Sequence, residues 1–126
     1  MASVKTVINQ KELCKKIINL DPKIRCSMLI NDKGKYITGA SKSNVVFRVD
    51  KNHREMLFME LALRTRMRRE FDYCFGTVRI VISLRDDIVI MTTPFENDIL
   101  YISAEKGFDF CNTPFKILDM LKTEIA

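Results

Sequence analysis

The stretch Lys51–Leu84 reads KNHREMLFMELALRTRMRREFDYCFGTVRIVISL. Its apolar period changes once, and the change separates a helix from a strand. Met56, Met59, Leu63 and Met67 recur at helical spacing, and Asp50 stands before them as a candidate N-cap. The spacing predicts a helix from Lys51 to about Phe71. From Gly76 the period falls to two: Val78, Ile80, Ile82 and Leu84 alternate with Arg79, Val81 and Ser83. That alternation predicts a strand over Gly76–Leu84.

The helix carries more apolar surface than one stripe. Leu57, Phe58 and Leu61 lie outside the methionine row, whereas a surface helix normally buries a single face. Two readings follow. Either the helix is sunk in its own core, or one side meets another chain. Its second half is basic, with Arg64, Arg66, Arg68 and Arg69, and Arg54 lies earlier. Glu60 to Arg64 and Arg66 to Glu70 are spaced for pairing, and arginine suits the negative end of the helix dipole. A site for phosphate or an acidic partner is the alternative.

Downstream, Arg85-Asp86-Asp87 reads as a turn into a strand at Ile88–Thr93. Pro94–Asp98 reads as a second turn into a strand at Ile99–Ala104. Three strands at hairpin spacing make an antiparallel meander. A polar stretch, Glu105–Thr113, leads to a helix at Lys116–Ile125, with Thr113 as cap and Pro114 at its first position. Its buried side is read as Phe115, Ile117, Leu118 and Leu121.

Upstream, Lys11–Leu20 spaces Leu13, Ile17, Ile18 and Leu20 as a short amphipathic helix, with Asn9 as a candidate cap and Asp21-Pro22 as its end. Ile24–Ile30 and Lys35–Ala40 read as a hairpin about the turn Asn31-Asp32-Lys33-Gly34. Ser41–Asn44 is a polar connection, and Val45–Val49 reads as a short extended piece. The resulting order is α-β-β-α-β-β-β-α. The expected class is α+β: a five-stranded antiparallel sheet with helices packed on it, in one domain spanning residues 1–126.

Composition narrows the function classes. The chain has 126 residues, with 21 Lys+Arg against 16 Asp+Glu, a net +5. Apolar residues make up 47%, the balance of an ordinary globular domain. The longest apolar runs are four residues, at Met56–Met59, Ile88–Met91 and Ile99–Ile102, far short of the ~20 needed to cross a bilayer. The N-terminus lacks the apolar core of a secretory signal, so an intracellular, cytoplasmic setting is expected. Cys14, Cys26, Cys74 and Cys111 form no closely spaced pair, which argues against zinc. They read as four reduced thiols in or near the core. Residues 1–69 hold 16 Lys+Arg against 6 Asp+Glu, net +10, and residues 70–126 hold 5 against 10, net −5. The imbalance permits a basic face.

Catalytic patterns are missing from the sequence. Asp32-Lys33-Gly34-Lys35 lacks the spacing of a phosphate loop, and no nucleophile elbow occurs. The one histidine, His53, sits beside Lys51, Asn52 and Arg54 and reads as solvated. Asp86-Asp87 and the pair Glu96 and Asp98 read as turn residues. No enzymatic activity, cofactor or metal is expected.

This element order over residues 10–125 resembles the roadblock domain of the roadblock/dynein light chain family, related to longin and profilin-like folds. The Ser27–Ile30 strand with its Asn31–Gly34 turn, the long central helix and the hairpin through Pro94 carry the likeness. The stretch from Glu55-Met56-Leu57-Phe58-Met59 through Arg68-Arg69-Glu70-Phe71 also looks like that of small archaeal proteins without assigned chemistry.

The resemblance implies a binding platform without hydrolytic residues. Roadblock domains form homodimers or heterodimers in which central helices lie side by side and third strands meet edge to edge. Family members bind and regulate small GTPases, or act as scaffolds. Carried over, the dimer interface would use Met56, Met59, Leu63 and Met67 on the helix and Val78 and Ile80 on the strand. Two rival readings stand beside it. One is a nucleic-acid or anion-binding module using Arg64, Arg66, Arg68 and Arg69. The other is a small-ligand sensor of the PAS or profilin-like type.

Overall fold

The structure, a computed structural model, describes residues 4–43, 45 and 48–125. Its elements are α1 (Val4–Ile18), β1 (Ile24–Ile30), β2 (Tyr36–Ser41), α2 (Lys51–Arg69), α3 (Asp72–Phe75), β3 (Val81–Leu84), β4 (Ile88–Phe95), β5 (Asp98–Glu105) and α4 (Thr113–Ile125). The strands form one sheet in the order β2-β1-β5-β4-β3, and every neighbouring pair is antiparallel. The expected α+β class and five-stranded antiparallel sheet are what the chain adopts.

Two apolar layers sandwich the sheet. On one face Leu13, Cys14 and Ile17 of α1 and Ile117 and Leu121 of α4 meet Leu29, Met91, Leu100 and Ile102. On the other, Phe58 and Ala62 of α2 meet Met28, Ile30, Ile90, Ile99 and Tyr101. Side chains alternate across a strand, so Ile99 and Tyr101 face α2 while Leu100 and Ile102 face α1 and α4. This two-sided burial is why the four-residue runs Ile88–Met91 and Ile99–Ile102 lack polar alternation. Both belong to inner strands covered on each face.

Local chemistry sets several boundaries. Gly34, at φ +82°, closes the β1–β2 turn, where Asn31 Oδ1 accepts from the Lys33 and Lys35 amides, at 2.9 Å each. Asp50 caps α2 as expected, its Oδ1 accepting from the His53 amide at 2.8 Å. α1 starts at Val4, so Asn9 is an exposed residue inside the helix and not its cap. In the piece expected at Val45–Val49, residues 46 and 47 lie outside the described residues, and Arg48 and Val49 form a bend.

Other expectations are corrected. The strand read over Gly76–Leu84 pairs only from Val81↔Thr92 to Leu84↔Val89. Two steps further the same register would set Arg79 against Pro94, which has no N–H to give to a ladder. The Thr93 hydroxyl instead donates to the Arg79 carbonyl at 2.6 Å. The single-turn α3, ended by Gly76 at φ +82°, occupies residues that the sequence reading left between helix and strand. β4 runs on through Phe95, leaving Glu96-Asn97 as the turn. In α4, Phe115 is exposed. Pro114, Ile117, Leu118 and Leu121 take the core side, and at ~100° per residue Phe115 falls off that face. Thr113 belongs to the helix, and its hydroxyl donates to buried Asp21 at 2.7 Å. Only Cys14 and Cys26 are buried; Cys74 and Cys111 are exposed free thiols.

Candidate functional site

α2 is apolar on two opposed sides. Phe58 and Ala62 are buried against the sheet, with Leu57 and Leu61 packed beside them. Met56, Met59, Leu63 and Met67 point the other way and are 64%, 57%, 55% and 60% exposed. The reading of this helix as sunk in its own core is therefore wrong. The stripe noticed first in the sequence is the outward one. The inward one needs only Phe58 and Ala62 because the sheet beneath supplies the rest of the apolar surface.

The outward stripe continues past the helix. Phe71 is exposed and stacks on Phe75 with ring centroids 6.3 Å apart. Tyr73 and Phe75 on α3 are 87% and 84% exposed. Clusters of exposed apolar side chains of this kind mark interaction sites on soluble domains. β3 lies at the sheet edge with Ile82 and Leu84 exposed, and an edge strand offers unpaired backbone groups to another chain. Of the two strand residues singled out, Val78 is half-buried and Ile80 packs on the α1 and α4 side of the core.

The four helix arginines have separate settings. Arg64 Nε pairs with Glu60 Oε1 at 3.3 Å, as its spacing foretold. Arg66 Nη2 donates to the Asp32 carbonyl at 3.1 Å, tying α2 to the β1–β2 turn. Arg68 and Arg69 flank a recess of about 180 Å³ beside Asp72 and Glu96. At ~100° per residue Arg64 and Arg68 share one side of the helix and Arg66 and Arg69 another.

His53 is exposed, and its Nδ1 lies 3.0 Å from both oxygens of Asp50. The His53 amide and ring hold the Asp50 carboxyl below its ordinary range. This is cap geometry. Asp86 and Asp87 occupy the β3–β4 turn. Among the described residues, no group of three or more His, Cys, Asp or Glu could hold a metal. No described helix is long and apolar enough to cross a membrane.

A cleft of about 900 Å³ opens between the N-terminal half of α2, the sheet and the β3–β4 turn. Met28, Phe58, Ile90 and Tyr101 line its inner part. Phe58 meets the Tyr101 ring edge-on at 5.6 Å between centroids. Burial, then the neighbouring Cys26 thiol, push the Tyr101 phenol up to about 12. Arg25 Nη1 donates to buried Ser103 Oγ at 3.4 Å on the same wall. Sequence reading missed this cleft, since its walls come from segments far apart in the chain.

A profile described as a family of unknown function (DUF6659) matches residues 4–126. The chain belongs to the DUF6659 family. Among curated proteins none matches it. Solved structures do match this DUF6659 chain. It is similar to the roadblock/LC7 domain from Streptomyces avermitilis at 14% identity and TM-score 0.68, covering 90% of this chain and 92% of that one. It is similar to the gliding protein MglB from Thermus thermophilus at 10% identity and TM-score 0.72, covering 100% and 96%. It is similar to Myxococcus xanthus MglB at 11% identity and TM-score 0.74, covering 99% and 93%. At such identities the likeness is one of fold. This DUF6659 chain has the roadblock fold that its element order resembles.

Proposed function

We propose that the protein is a non-catalytic, cytoplasmic adaptor that pairs with a second copy through α2 and the β3 edge and presents the pair to a small GTPase or another protein. The observation that carries this reading is the outward row Met56, Met59, Leu63 and Met67 on a helix whose opposite side already fills the core. A two-fold axis across that row would bury eight such side chains, each worth roughly 1.5–3 kcal/mol when fully covered. The exposed β3 edge supports it, because edge-to-edge pairing would satisfy the open ladder. Val78 would join the interface at its margin, with Ile80 holding the strand to the core beneath. The likeness to roadblock and MglB structures supports the choice of a protein partner over a substrate.

Arg64, Arg66, Arg68 and Arg69 would then frame the pair and favour an acidic partner surface. Their division between two sides of the helix, with Arg64 held by Glu60 and Arg66 by the Asp32 carbonyl, favours this over a single nucleic-acid track. Light scattering behind size exclusion, under reducing conditions at low and high salt, tests the reading. A salt-resistant mass near twice 14.7 kDa is the expected result. A monomer at tens of micromolar removes the paired platform. Steep salt-dependent retention on DNA or RNA would move the assignment to a nucleic-acid module.

A further inference from the structure

We propose that the stacked rings of Phe71 and Phe75 are a docking surface for a second copy of this chain, seated where that copy exposes its own Met56 and Leu84. The inference rests on the pairing through α2 proposed above and carries it past the end of the helix. Two apolar patches stand at opposite ends of the outward face of α2. At the C-terminal end Met67, Phe71 and Phe75 follow in four-residue steps. The two rings are stacked and are 57% and 84% exposed. At the N-terminal end Met56 and Leu84 are both exposed and line one opening with Leu57 and His53. One patch is aromatic and projecting, and the other is aliphatic and open.

Charge decides which ends meet. Residues 51–60 carry two Lys+Arg and two Glu, net zero, whereas residues 61–70 carry four Arg and one Glu, net +3. Two copies of α2 running the same way would set +3 beside +3. Running opposite ways, each basic half lies against a neutral one. The row from Met56 to Met67 has its middle between Leu61 and Ala62. Glu60 and Arg64 straddle that middle on one side of the helix. A two-fold axis there sets each across from the other copy's opposite charge, so their bond of 3.3 Å within the chain becomes part of a four-charge cluster. Phe71 is seven residues past Arg64 and shares that side. It stands ~14 Å from the axis, at ~1.5 Å per residue. The same distance on the other side reaches the start of α2, where Met56 and Leu84 are open. Four rings, two from each copy, bring up to about 600–1,000 Å², a large share of the ~1,200–2,000 Å² that a stable interface buries.

The test is the mass in solution by light scattering over a dilution series, on the full chain under reducing conditions, with the thermal transition followed in parallel. Phe71→Ala/Phe75→Ala should raise the concentration at which the pair dissociates about tenfold or more. Leu84→Ala should raise it in the same direction. Combining all three changes should add little to the aromatic pair alone, because they remove two sides of one contact. Phe115→Ala, exposed on α4 at the opposite face of the sheet, should dissociate as the wild type does. Phe75→Gln alone, with a smaller loss, serves if the double variant fails to fold. A wild-type pair whose affinity survives loss of the rings overturns the aromatic contact and leaves the α2 pairing standing. Effects of the rings and of Leu84 that simply add also overturn it, since the rings then meet some other surface. A wild type that is monomeric throughout overturns the pairing and this contact together.

Discussion

Gly34 rests on the backbone of Met59. A Cβ added at Gly34 would stand 2.8 Å from Met59 Cα and 2.9 Å from Met59 N, and the residue holds φ +82°. The β1–β2 turn therefore sits directly on α2, and the Arg66 bond to Asp32 lies on the same seam. Together they set where α2 crosses the sheet, and so where its outward side chains stand.

Gly34→Ala should displace α2. The left-handed backbone costs an L-residue about 1–2 kcal/mol, and the clash is with main chain that cannot rotate away. A total loss of about 2–4 kcal/mol is expected in urea unfolding. A variant within about 0.5 kcal/mol of wild type would show that the turn does not hold the helix.

Leu63→Arg should leave the fold intact, because Leu63 is 55% exposed and surface changes usually stay within about ±0.5 kcal/mol. Its mass in solution should fall from the proposed pair to a single chain. An unfolded variant would return Leu63 to the internal core.

Glu96→Gly should stabilise the protein by about 1 kcal/mol. Glu96 holds φ 56° in the two-residue β4–β5 turn. Asn97 is not among the positive-φ residues, which leaves a type II′ turn whose first position favours glycine. The same change should lower the pKa of Asp98. Its carboxyl is held above 3.8 by burial and by the nearby Asp32 and Glu96 charges. Thermal melts and an NMR titration read the two effects, and an unchanged melting temperature would deny the strain.

Asp21 should make stability depend on acid pH. The carboxylate is buried and accepts from the Lys23 amide at 2.8 Å, the Thr113 hydroxyl at 2.7 Å and the Asp109 amide at 3.4 Å. Burial alone would raise its pKa, but these bonds and the Lys42 charge outweigh it and hold the value below 3.8. A depressed carboxylate stabilises the fold above its unfolded value and loses that contribution as pH falls through the folded one. Asp21→Asn should cost about 2 kcal/mol near neutral pH. The gap to wild type should narrow below pH 3.8, and a gap unchanged down to that range would reject the charge as its source.

Cys74 and Cys111 should react quickly with a thiol reagent in the folded state, because both are exposed. Cys14 and Cys26 should react only on unfolding, since burial also pushes their thiols up. Four fast thiols would contradict the packing of α1 and α2 on the two faces of the sheet.

Local pattern was enough for most of the elements, though not for α3 or for the start of α1. Period-two alternation, the Asn31–Gly34 turn and the Asp50 cap act within a few residues, and they located the β1–β2 hairpin, α2 and the β4–β5 pair nearly to the residue. The sidedness of α2 was not legible. A methionine stripe that meets a partner and one that fills a core have the same spacing, and the inner stripe of Phe58 and Ala62 is the less conspicuous. The length of β3 depended on Pro94, a residue of the opposite strand. The placement of β1 beside β5 pairs segments far apart in the chain.

The cleft depended on long-range placement most of all. Met28, Phe58, Ile90 and Tyr101 have no common spacing in the sequence. Only the folded sheet, with α2 seated on it at Gly34, brings them to one opening. Sequence alone therefore established the order of the main elements, α3 excepted, because turns, caps and apolar periods are short-range. Which faces meet and which stay open belong to the tertiary structure, because they arise from contacts between residues tens of positions apart.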